Sequence, residues 1–133
     1  MATVVIDASA LIEAMIGAEP VQPLRRRVLA SELAAPDLII CEVLNVLRRR
    51  ARVDAVGRAQ ANRAAWWLAR APIATTGHRA LIDRAWELCD SLSAYDAQYV
   101  ALAEQLDVPL ITCDAKLAGS HGHKVDIEVY PVS

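Results

Sequence analysis

The stretch Val4-Val5-Ile6-Asp7-Ala8-Ser9 decides the fold. Three consecutive β-branched residues predict a short strand buried on both faces, the kind found in parallel sheets flanked by helices. The run stops at a carboxylate and then at small residues. In an open parallel sheet, groups at the carboxyl ends of the strands line the crevice where ligands sit. Asp7 is therefore expected on the rim of a core and desolvated on one side. A carboxylate there requires a partner, a cation or a raised pKa.

Outward from that strand, the apolar periodicity alternates between helix and strand. Ser9 to Ile16 reads as a short helix stopped by Gly17. Glu19-Pro20-Val21-Gln22-Pro23 reads as a turn. Leu24 to Ser31 reads as an arginine-faced helix with Leu24, Val28 and Leu29 inward. Pro36-Asp37 opens a helix from Leu38 to Arg52 whose apolar residues are Ile39, Ile40, Val43, Leu44, Val46 and Leu47. Glu42, Asn45 and Arg49 share its polar stripe. An alanine-rich helix follows from Val56 to Arg70, then a short strand at Ile73 to Thr76 and a helix from Arg79 to Cys89. Ser93-Ala94-Tyr95-Asp96 has the form of a capping box opening a helix to Leu106. Pro109 to Cys113 is a second buried strand, and it too ends on an acid, Asp114. A helical turn at Lys116 to Ala118 and a loop to Gly122 lead to a last strand. There Val125, Ile127 and Val129 alternate with polar residues, so this strand has a wetter face or lies at an edge. Strands separated by helices imply right-handed crossovers and a parallel sheet.

The 133 residues favour a single domain over 1–133, and a hydrophobic fraction of 55% allows a large core. No apolar run reaches the ~18–20 residues that span a bilayer, and Asp7 and Glu13 interrupt any signal-type segment, so a cytoplasmic protein without membrane contact is expected. Cys41, Cys89 and Cys113 are odd in number and widely spaced, which predicts reduced, buried thiols. His78, His121 and His123 lack zinc-site spacing. Trp66, Trp67 and Trp86 lie on helices, where core or interface packing explains them better than base stacking. A net charge of −2 excludes bulk attraction to nucleic acid. The arginines are nevertheless clustered, at Arg25-Arg26-Arg27 and at Arg48-Arg49-Arg50 with Arg52. Phosphate binding and a solvated helix face account for that pattern equally well.

Four acids then stand out. Asp7 and Asp114 end buried-type strands, while Glu42 and Asp96 sit near the starts of helices. Each has a plain explanation: Asp7 and Asp114 as helix caps, Asp96 as part of the capping box, Glu42 as part of a solvated stripe. If all four meet on one rim, their repulsion calls for a divalent cation, and carboxylate oxygens suit Mg²⁺ or Mn²⁺. A cation so held activates water and stabilises charge on a phosphodiester.

Taken in order, these segments resemble the four motifs of PIN-domain proteins, specifically the VapC-type toxins of bacterial type II toxin–antitoxin pairs. The segments are Val5-Ile6-Asp7-Ala8-Ser9-Ala10, Glu42-Val43-Leu44-Asn45-Val46-Leu47-Arg48-Arg49, Leu92-Ser93-Ala94-Tyr95-Asp96-Ala97 and Pro109-Leu110-Ile111-Thr112-Cys113-Asp114. The resemblance runs nearly end to end. It implies a three-layer α/β/α sandwich with a mainly parallel sheet and a Mg²⁺- or Mn²⁺-dependent endoribonuclease acting on structured RNA. Asp7, Glu42, Asp96 and Asp114 would be its catalytic, metal-holding acids, supported by the hydroxyls of Ser9 and Thr112 and by Asn45. It further implies a homodimer and a small VapB-type antitoxin whose tail enters the site. Two other readings compete: a PIN-like module that binds RNA or protein without cutting, and a phosphoryl-transfer domain. Against the latter, Ser9 stands where the second acid of a D-x-D motif would be.

Overall fold

The computed structural model describes residues 1–17 and 22–132. Its centre is β1 (Thr3–Ile6), whose Val4, Val5 and Ile6 are buried on both faces of the sheet. The other strands are β2 (Glu32–Pro36), β3 (Ile73–Thr76), β4 (Leu110–Thr112) and β5 (Ile127–Val129). They lie in the order β3-β2-β1-β4-β5, and every neighbouring pair is parallel. Val5 pairs with Ala34 on one side and Leu110 on the other, which fixes the register at the core.

The helices are α1 (Ala8–Ile16), α2 (Gln22–Leu29), α3 (Leu38–Ala51), α4 (Ala55–Leu68), α5 (Ile82–Leu88, preceded by a 3-10 turn at His78–Leu81), α6 (Ala94–Leu106) and α7 (Ala115–Ala118). The steps β1→β2→β3 run one way across the sheet and β3→β4→β5 run back. Right-handed crossovers therefore put α1–α4 on one face and α5–α7 on the other. Packing agrees: α1 meets α2, α3 and α4, whereas α6 lies with α5 over β1 and β2. This is the expected α/β/α sandwich, with a sheet that is parallel throughout.

Strand order also places the ligand crevice. The order in which strands are added reverses between β1 and β4, and in open α/β sheets the crevice opens beyond the carboxyl ends at such a point. Asp7 follows β1 and Asp114 stands two residues beyond β4, so the two acids flank it.

Several local expectations change. β2 has no counterpart in the sequence reading. Leu33-Ala34-Ala35 carry little strand preference, but pairing with β1 and β3 on both sides overrides it. The turn expected at Glu19–Pro23 falls largely outside the described residues, and its Gln22 and Pro23 already belong to α2. Leu29 and Leu44 face solvent rather than the core, as do Trp66 and Trp86, while Trp67 is half-buried. The cysteines are free, as expected, but none is fully buried, and Cys41 is exposed. No helix of the described residues is long and apolar enough to cross a membrane.

Candidate active site

Asp7 is 7% exposed, and two hydroxyls hold it. Ser9 Oγ donates to its Oδ1 at 2.7 Å, and the Ala10 backbone N–H donates to the same atom at 3.0 Å, so Asp7 does cap α1. Thr112 Oγ1 donates to the other oxygen, Oδ2. Each hydroxyl in turn accepts a backbone N–H from the end of β4: Cys113 N–H donates to Ser9 Oγ and Asp114 N–H to Thr112 Oγ1, both at 3.0 Å. The carboxyl ends of β1 and β4 are thus sewn together through one carboxylate. Burial pushes the Asp7 carboxyl above its ordinary range, its hydrogen bonds pull it back, and the charge of Asp114 adds to the rise.

The other three acids meet Asp7 electrostatically. Glu42, in the second turn of α3, is half-buried, and Tyr99 Oη donates to its Oε1 at 2.6 Å. Burial raises the Glu42 carboxyl, Tyr99 lowers it, and Asp7 and Asp96 raise it again. Asp96 is raised by burial and then by Asp114 and Asp7. Its backbone N–H donates to Ser93 Oγ at 3.1 Å, the first half of the capping box, and the return bond to the Ser93 backbone is not made. Asp114 is exposed and caps α7 by accepting the Lys116 backbone N–H at 2.9 Å. The capping explanations for Asp7 and Asp114 are therefore true, and the charge of Asp114 still adds to the raised pKa values of Asp7 and Asp96.

Of the remaining residues singled out in the sequence, Ser9 and Thr112 touch Asp7. Asn45 does not join the network; it is exposed on the outer side of α3. The histidines stay apart, His78 beside Gln98 and His123 beside Ser120. Tyr99 was not anticipated. The available signal was its spacing of three from Asp96, which puts both on one helical face, together with the need of a buried tyrosine hydroxyl for a partner.

Among the described residues, no three His, Cys, Asp or Glu side chains are gathered tightly enough to ligate one ion by themselves. A Mg²⁺ ion keeps several waters and takes only one or two carboxylates directly, so these acids would hold it partly through water. The donor set fits as well: it is oxygen throughout, and after burial the charge of a neighbouring carboxylate adds to the raised pKa values of Asp7, Glu42 and Asp96. A cavity of about 510 Å³ between α1, α2 and α4, lined by Leu11, Met15, Val28 and Trp67 among others, contains none of the four acids.

A family model described as the PIN domain matches residues 4–119. The chain belongs to the PIN-domain family. Within that family it is similar to ribonuclease VapC9 of Mycobacterium tuberculosis, 36% identical over 128 residues that cover 96% of this chain and 98% of the relative. Among solved structures, PAE2754 from Pyrobaculum aerophilum is 26% identical with a TM-score of 0.64, covering 95% of this chain and 83% of the other. A toxin–antitoxin complex from Klebsiella pneumoniae gives a TM-score of 0.70 at 17% identity, covering 97% of this chain and 99% of its counterpart, a likeness of fold. The PIN-domain match includes all four acids and both supporting hydroxyls.

Proposed function

We propose that this PIN-domain chain is a divalent-metal-dependent endoribonuclease toxin that hydrolyses phosphodiester bonds in RNA. The observation that carries the reading is the locking of Asp7 at the switch point of the sheet, with the charge of Asp114 felt by Asp7 and Asp96 and the charges of Asp7 and Asp96 felt by Glu42. The kinship with proteins named VapC ribonucleases supports it.

Asp7, Glu42, Asp96 and Asp114 would hold Mg²⁺ or Mn²⁺, directly or through water. Once bound, the ion supplies a nucleophilic water and stabilises charge on the phosphate. The chain's own groups do the positioning. Ser9 and Thr112 fix both oxygens of Asp7 in place and favour its ionised form. Tyr99 donates its proton to Glu42 Oε1, which would leave Oε2 available to an ion.

The partner follows the same reading: a small antitoxin of the VapB type, acting with the toxin in the cytoplasm. The likeness of fold to a subunit of a toxin–antitoxin complex supports this. A homodimer is part of the proposal. Ile82 and Trp86, one turn apart on α5 and 51% and 77% exposed, offer an apolar patch for a second copy.

The test is cleavage of total bacterial RNA by the purified protein. Cutting is expected with Mn²⁺ or Mg²⁺, arrest with EDTA, and no cutting by Asp96→Asn of unchanged fold. RNA binding without cleavage under any metal would replace this reading with that of a non-catalytic module.

A further inference from the structure

The two arginine clusters meet different fates in the fold. In the first, Arg25 donates to the carbonyls of Ala14 and Gly17 at 3.3 and 3.0 Å, and Arg27 makes a two-point bond with Glu128 at 2.9 and 3.0 Å. These side chains hold α2 to its neighbours. In the second, Arg50 donates to Gln60 Oε1 on α4 at 3.1 Å. Arg48, Arg49 and Arg52 are exposed, and none is paired with a carboxylate among the described residues.

Position gives this unneutralised charge a meaning. Glu42, Asn45, Arg49 and Arg52 follow one another at spacings of three, four and three, so they form one stripe along α3. Ile39, Val43 and Leu47 occupy the buried side. At 1.5 Å per residue, Arg49 lies about 10.5 Å and Arg52 about 15 Å from Glu42 along the axis. The stripe starts at the acidic rim and ends in free guanidinium groups. A chain of net charge −2 with four acids in its crevice repels a polyanion, so strand binding needs local cations. Guanidinium matches phosphate in geometry and charge.

We propose that Arg49 and Arg52 form a phosphate-binding track that grips the RNA strand beyond the bond being cut and lays it across the acidic rim. At about 3.4 Å per phosphate in a stacked strand, the track meets the backbone roughly three to four nucleotides away. The inference rests on the ribonuclease reading above and assigns the residues that position its substrate.

The experiment compares the parent, Arg49→Gln/Arg52→Gln and Arg49→Lys/Arg52→Lys. The probe is a fluorescein-labelled RNA oligonucleotide carrying a sequence that the parent cuts in total RNA, with Mn²⁺, over a salt series. The glutamine pair should raise KM about tenfold at low salt, with kcat within about twofold of the parent. Its plot of log KM against log salt should change in slope by about 1.4, the loss of two phosphate contacts on a single strand. The lysine pair should retain the parental slope. A parent that cuts RNA and a glutamine pair with unchanged KM and slope would overturn the track while leaving the ribonuclease intact. So would lowered thermal stability or lost antitoxin capture with KM unchanged, which would assign these arginines to the helix end or to a protein contact. A parent that neither cuts nor binds any RNA would overturn the ribonuclease reading and the track with it.

Discussion

The hydroxyl of Thr112 donates to the carboxylate of Asp7 across the point where the strand order switches, while accepting the Asp114 backbone N–H at 3.0 Å. One fully buried side chain thereby aligns an acid on β1 with an acid beyond β4. Thr112→Val keeps the shape and removes the hydroxyl, leaving Asp7 Oδ2 and the Asp114 N–H short of a partner. We expect a loss of about 2 kcal/mol in urea unfolding, the cost of unsatisfied buried polar groups, together with a large fall in RNA cleavage. Thr112→Ser, which restores the donor, should recover most of both. Equal behaviour of the valine and serine variants would deny the hydroxyl this role.

Tyr99 ties α6 to α3 through its 2.6 Å bond to Glu42, joining helices from opposite faces of the sheet. Tyr99→Phe preserves the buried ring and should cost about 1.5–3 kcal/mol, as for a hydrogen bond to a charged group. Cleavage should fall severalfold, because Glu42 loses the contact that orients it, whereas Glu42→Gln should fall much further. Steady-state kinetics on one RNA, alongside unfolding curves, checks both.

How much of this was legible beforehand depended on the kind of signal. β1 and β4 announced themselves as apolar runs that end on acids, and the bounds of α6 followed from Ser93 and the apolar spacing after it. β2 was invisible because Leu33-Ala34-Ala35 owe their conformation to strands on either side, which no local pattern reports. Asp7 and Asp114 stood out as carboxylates at strand ends, and Glu42 and Asp96 through their places near helix starts. Tyr99 was not, because a tyrosine in an apolar helix looks like core until its hydroxyl has a visible partner. Nor could spacing separate Arg27, bound to a glutamate 101 residues away, from Arg49, which has no acid beside it.

The Arg27–Glu128 pair gives a pH prediction. Its side chains are 29% and 28% exposed, and hydrogen bonding to Arg27 holds the Glu128 carboxyl below its ordinary range. A depressed carboxylate pKa contributes stability that is complete above the unfolded value, about 4.3, and is lost as pH falls through the folded value. Glu128→Gln should therefore lower stability at pH 7 by about 1 kcal/mol or less and make a smaller difference at pH 3. Urea midpoints at the two pH values check this; an equal difference at both would contradict it.

Gly57 separates helix propensity from packing. A Cβ at this position would stand 2.4 Å from the Arg50 carbonyl oxygen, where α4 approaches α3. Alanine is better than glycine by about 1 kcal/mol in an open helix. Here Gly57→Ala should instead destabilise by about 1–3 kcal/mol, because the backbone of α3 must shift. A thermal midpoint above the parent's would show that the two helices separate at little cost.

In the proposed ribonuclease, Asp7, Glu42, Asp96 and Asp114 form one centre for a divalent cation. Crystals soaked in Mn²⁺ test it most directly through anomalous scattering. A peak is expected at the carboxyl ends of β1 and β4, within direct or water-bridged reach of Asp7 and Asp96, and it should disappear in Asp7→Asn. Manganese found only at surface carboxylates, with the crevice between β1 and β4 empty, would contradict it.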